Sequence, residues 1–179
     1  MTTLTGPFGG TLEAAAQLLA DTPAFRTWVT PAYDPDDDRT EEQETAAHAL
    51  AYSHIYFYTE PNDNGASRPF VVISLSDDSS LNTPSASGFN VWITGGVNVM
   101  FENDSSYLNN TQLQSGTNEF LSDIFGIIDS LITVVEADTG GTYLIPSGVK
   151  PVSKVVASDR AAGDPGDYFQ WVWMLEVGP

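Results

Sequence analysis

Between Phe89 and Phe101 the apolar residues Phe89, Val91, Ile93, Val97, Val99 and Phe101 all stand at odd positions, with Gly95-Gly96 between the two halves. A two-residue hairpin at those glycines would set odd residues against even ones, placing Ile93 opposite Asn98 and Phe89 opposite Glu102. A one-step change of register sends every side chain to the other face of a sheet, so the parity favours one long strand bent at Gly95-Gly96. Such a strand needs partners on both edges. The sequence offers them at Ile55–Tyr58, at Pro69–Leu75, at Tyr143–Ile145, at Val149–Ala157 and at Tyr168–Val177. In the last of these Phe169, Trp171, Trp173, Leu175 and Val177 alternate with Tyr168, Gln170, Val172, Met174 and Glu176.

Helical spacing appears in two places. Leu12, Ala15, Ala16 and Leu19 share one face of a helix that Thr11 would cap, and Pro23 ends or restarts it. Asn118 to Glu136 carries a wide apolar stripe from Phe120 through Ile124, Phe125, Ile128 and Ile132 to Val135, and Gly140-Gly141 follows it. The fold class is therefore α+β: a single, mostly antiparallel sheet with a long bent strand, packed by an N-terminal helix and one long amphipathic helix. One domain over residues 1–179 is expected, with an acidic arm at about 31–45 that turns helical near Glu41. Trp92 and Met100 oppose the odd series in the long strand, and Val172 and Met174 do so in the last strand. Either the chain's own helices cover both sheet faces, or one face is an oligomer interface; Trp92, Met100, Val172 and Met174 are the candidate interface residues.

Charge narrows the function classes. The chain has 24 Asp and Glu against 6 Lys and Arg, for a net charge of −18, and Asp outnumbers Glu by 15 to 9. Wrapping nucleic acid or coating an anionic membrane requires clustered cations, which this composition does not supply. High Asp, two Lys and no Cys resemble proteins of salt-loving organisms. The absence of Cys excludes disulfides and thiolate metal centres. No uninterrupted apolar run reaches bilayer length, and Met1–Gly10 lacks the basic and apolar regions of a secretory signal.

The usual chemical motifs are scarce. His48 and His54 stand six apart with no HExxH, and are expected to be a surface and a strand-edge histidine. Asp34, Asp36 and Asp38 alternate as in a calcium loop, but Arg39 occupies the glycine place and Thr45 the terminal glutamate place. A solvated acidic loop, with at most weak cation binding, is the better expectation. No GxSxG, GxxxxGK[ST] or GxGxxG occurs, and neither Glu60 nor Glu102 has a sequence context that marks a catalytic acid. Asn103-Asp104-Ser105 and Asn109-Asn110-Thr111 match the glycosylation sequon. No catalysis and no cofactor are expected.

Element order carries a resemblance. The opening Gly6-Pro7-Phe8-Gly9-Gly10-Thr11-Leu12 runs into a helix ending Thr22-Pro23-Ala24-Phe25-Arg26-Thr27-Trp28. Then come Ala46-Ala47-His48-Ala49-Leu50, His54-Ile55-Tyr56 and Arg68-Pro69-Phe70-Val71-Val72-Ile73. The Trp92 strand ends at Val99-Met100-Phe101-Glu102-Asn103-Asp104, and a Gly163–Tyr168 turn leads into the terminal strand. Over nearly its whole length this order resembles the tail-completion or tail-terminator proteins of long-tailed (siphovirus-like) viruses. The acidic arm and the extreme charge depart from the family, and a halophilic archaeal host would account for both.

The resemblance implies a virion protein at the tail–neck junction, assembled in the host cytoplasm. Its copies would form a six-membered ring that ends the tail tube and joins it to the neck. Its partners would be other copies of itself, the tail-tube protein and a neck or head-completion protein. DNA would pass through the lumen without specific binding, and no membrane would be involved. Alternatives are a stopper or tube subunit, a small ligand-binding domain or enzyme of a halophile, and, more remotely, an acidic mimic of nucleic acid.

Overall fold

The computed structural model describes residues 6–59, 68–77, 79–82, 92–104, 113–137, 146–157 and 168–177. Four helices, α1 (Gly6–Asp21), α2 (Pro23–Val29), α3 (Glu41–Tyr52) and α4 (Leu113–Ala137), accompany six strands. These are β1 (Ile55–Phe57), β2 (Phe70–Leu75), β3 (Ser80–Asn82), β4 (Trp92–Asp104), β5 (Pro146–Ala157) and β6 (Tyr168–Val177). The sheet order is β1-β2-β4-β6-β5, with β3 also on β4. Among the described residues only β1 and β2 run parallel, and the other pairs are antiparallel. The class is α+β with a mostly antiparallel sheet.

β4 is one strand through Gly95-Gly96. Gly95 pairs with Val177 and Gly96 with Glu176, and the ladder continues without a break to Asp104 and Tyr168. The glycines mark the place where β2 gives way to β3 along β4. There Gly96 O accepts from Ser76 N (2.9 Å) and Ser79 Oγ (2.8 Å), and Gly96 N–H donates to Ser76 Oγ (3.1 Å). Phe89, Val91 and Tyr143–Ile145 lie outside the described residues.

Odd positions of β2 and β4 form the core face. Val71, Ile73, Val97, Val99 and Phe101 join Leu12, Ala16 and Leu19 of α1, Phe25 and Trp28 of α2, and Phe120, Ile124, Ile127 and Leu131 of α4 in one cluster. The Trp28 ring meets Phe101 edge-on at 5.9 Å. Thr11 does not cap α1. The helix begins at Gly6, where Pro7 suits a first turn whose amides need no helical partner, and Thr11 is buried within it. The α4 stripe is narrower than its sequence suggests: Phe120, Ile124, Ile127, Ile128 and Leu131 are buried, whereas Phe125 and Ile132, seven residues apart, are exposed.

The acidic arm is pinned as well as solvated. Asp34, Asp36, Asp37 and Asp38 are exposed, and Asp34 accepts from Asp36 N–H in a tight local turn (3.0 Å). Between them and α2, the Tyr33 ring lies under Arg39 at 3.9 Å and near Arg26 at 5.8 Å. Thr40 then caps α3 in a full capping box: its hydroxyl accepts from Gln43 N–H, and the Gln43 side chain accepts from Thr40 N–H.

Candidate interaction surfaces

Residues opposite one another in a sheet project from the same face. Tyr56, Val72, Met100 and Val172 form one such row across β1, β2, β4 and β6. Ser74 and Asn98 form the next row, and Met174 holds the register position opposite Asn98. These even positions lie on the face away from the helices, since Phe70 and Val72 are buried yet take no part in the helix-packed cluster. Met100 and Val172 are half-buried. Asn98 Oδ1 is buried there with no hydrogen-bond donor, a state that costs about 1–3 kcal/mol when a polar atom is left so.

Three of the four candidate interface residues therefore come together in register: Met100 and Val172 are partners, and Met174 is one step along β6. Trp92 opens β4 opposite Asn82, eight residues from Met100, a distance of about 26 Å along an extended strand.

At one end of the same face a buried ion pair is set in apolar surroundings. Arg68 Nε and Nη2 both approach Glu102 Oε1 at 2.8 Å, and the Glu102 side chain is 1 % exposed. Phe70 lies beside the pair, with Arg68 5.7 Å from its ring and Tyr56 edge-on at 5.7 Å. Glu102 is thus held as a paired carboxylate. Glu60 lies outside the described residues.

A second feature lies on the helix side. Between α2 and the first half of α4 runs an open groove of about 880 Å³. Pro23, Trp28, Pro31, Pro35 and Pro69 supply apolar walls, and Glu119 and Asp123 stand on its α4 side. Ser122, Gly126 and Ser130 line it at four-residue steps, and a side chain at Gly126 would meet nothing within 4 Å. The small-residue spacing on α4 was available in the sequence; the opposing proline wall needs residues 23, 31, 35 and 69 to meet in space.

The other candidates sort by their partners. His48 Nε2 is 3.6 Å from Asp21, and the ring stacks on Tyr52. The His54 ring shares a hydrogen bond between Nδ1 and Pro69 O (2.7 Å), while Val71 N–H donates to His54 O. The two histidines therefore serve different contacts. Among the described residues no group of three or more His, Asp or Glu is placed to hold a metal ion, and no helix is long and apolar enough to cross a membrane. Asn103 of the first sequon is buried at the end of β4, out of reach of a modifying enzyme; Asn109 lies outside the described residues.

All three arginines of the described residues are engaged within the fold. Arg26 is buried: Nε donates to Ala20 O (2.7 Å), Nη2 reaches Asp21 (3.1 Å) and Nη1 reaches Glu44. Arg39 lies between Asp37 and Glu44, 3.6 Å from each. Arg68 holds Glu102. Neither a protein-family model nor a curated protein matches the sequence.

Proposed function

We propose that this chain is a structural protein of a viral tail–neck junction, whose copies close into a ring of six that ends the tail tube. The observation that carries the reading is the apolar row Tyr56–Val72–Met100–Val172 on the sheet face opposite the helices, beside Asn98, whose Oδ1 is buried with no hydrogen-bond donor. A neighbouring copy seated on that face would bury the half-exposed Tyr56, Met100 and Val172, as the core of a subunit interface does. The element order described above supports the tail-terminator assignment, and halophilic origin is part of the same proposal. Commitment of Arg26, Arg39 and Arg68 to carboxylates supports a lumen that lets DNA slide, since those cations are not available to hold phosphates. The role asks for no catalytic group and no cofactor.

The groove between α2 and α4 favours a second reading, a small ligand-binding domain, because its volume lies in the range of small-molecule sites. Electron microscopy of the full chain at about 2 M salt, where the Debye length is below about 3 Å, separates the readings. Closed rings with a central opening support the terminator. Long stacks would replace it with a tube subunit, and isolated single chains would favour the ligand-binding domain.

A further inference from the structure

We infer that residues 31–40 are a releasable arm whose departure widens the groove between α2 and α4. The arm's release is independent of both the ring and the ligand-binding readings above. Pro31 and Pro35 of the arm supply part of the groove's apolar wall. Both ends of the arm are fixed. Thr30 N–H donates to Arg26 O (2.9 Å) at the close of α2, and Thr40 opens α3 with its capping box. Between them only Tyr33 and Arg39 are not exposed, and these two hold each other, the Arg39 guanidinium lying 3.9 Å from the Tyr33 ring. Tyr33 reaches α2 through long contacts, from Arg26 Nη1 to its hydroxyl and from Thr27 Oγ1 to its carbonyl, each 3.4 Å.

Two features oppose the seated position. Arg39 Nη1 is buried, yet it stands 3.6 Å from Glu44, beyond hydrogen-bond reach, and has no hydrogen-bond acceptor. A donor left so favours the released state, where water serves it. Asp37, 3.6 Å from Arg39, belongs to the arm and does not tie it to the helices. Asp34, Asp36, Asp37 and Asp38 are exposed, and they repel one another and the rest of a chain of net charge −18. Few buried side chains resist these terms, which is the pattern of a segment that opens locally while the domain stays folded. When Tyr33 and Arg39 lift together, Pro31 and Pro35 leave the groove wall.

The chain has no Cys, so introduced cysteines carry spin labels at chosen places only. Asp36→Cys with Asp129→Cys spans from the exposed arm to α4, and Glu42→Cys with Asp129→Cys spans from α3 to the same point. Labelled full-length chain is diluted into unlabelled chain, and distances are read by double electron–electron resonance. Tyr33→Ala removes the ring on which Arg39 rests. It should raise the ratio of long to short arm–α4 distances by about tenfold, the scale of a partly desolvated cation–π contact. The α3–α4 distance should stay as in the wild type. Tyr33→Phe keeps the ring and should keep the wild-type distribution. An arm–α4 distribution that Tyr33→Ala leaves unmoved overturns the inference. So does an α3–α4 distance that lengthens with it, because the helices and not the arm have then moved. Neither result bears on the ring, which particle mass reads.

Discussion

Arg26 does the work of several residues. Its buried guanidinium donates to Ala20 O and Asp21 at the end of α1 and to Glu44 of α3, tying the two helices together. A cation also suits the carbonyl end of a helix. Arg26→Met keeps the apolar stem but drops these bonds. It should lower unfolding stability by about 2 kcal/mol, the loss moderated because Asp21 and Glu44 are partly exposed and can rehydrate. Urea unfolding reads this, and an unchanged midpoint would contradict the role. Tyr52 gives a pH signature. Its hydroxyl donates to Glu13 at 2.7 Å, and burial, then that hydrogen bond and the Glu13 charge, push its phenol well above its ordinary value near 10. The unfolded chain therefore loses this proton first, so the stability it contributes is complete below about pH 10 and is lost as pH rises further. Wild type should lose stability more steeply than Tyr52→Phe between about pH 10 and 11.5, as followed by denaturant unfolding at each pH. Parallel curves would contradict it. Neither residue was legible beforehand: Arg26 reads as one cation in a helix, and its four partners lie five to eighteen positions away.

At the scale of elements, local signals and spatial ones separate cleanly. The parity from Ile93 to Phe101 fixed β4 as one strand, because period-two alternation is a property of consecutive residues. β6 likewise spans Tyr168–Val177, as its alternation implied. Helix ends were less legible. α1 begins before Thr11 and α4 before Asn118, because packing extends helices past the residues whose spacing announces them. The stripe on α4 misled in another way: Phe125 and Ile132 fit the periodicity, yet both are exposed, off the face that Phe120, Ile124, Ile127 and Leu131 bury. Two substitutions test the element descriptions. Thr40→Ala removes a side-chain cap from α3 and should cost about 1 kcal/mol. Gly126→Ala places a methyl where nothing lies within 4 Å, in mid-helix, and should raise stability by about 0.5–1 kcal/mol. Thermal unfolding measures both; a destabilised Gly126→Ala would mean that the groove is narrower than described.

For the whole molecule, charge and surface act together. A core on one sheet face gives the protomer its fold, while the other face keeps Tyr56, Met100 and Val172 only half-buried. The two-sided apolar character of β4 and β6 was visible in Trp92, Met100, Val172 and Met174. The groove and the buried Arg68–Glu102 pair were not, since each depends on chain segments that meet only after folding. Net charge then decides the conditions of assembly. With −18 on each copy, repulsion between neighbours grows as the Debye length lengthens from about 3 Å at 1 M salt to about 10 Å at 0.1 M. Rings should accordingly form at high salt and dissociate, or the chain unfold, at low salt. The most direct measurement is particle mass by light scattering after size exclusion, at about 2 M and about 0.1 M salt. The account predicts a single species of six times 19.3 kDa at high salt that is lost at low salt; a compact single chain at both would contradict it.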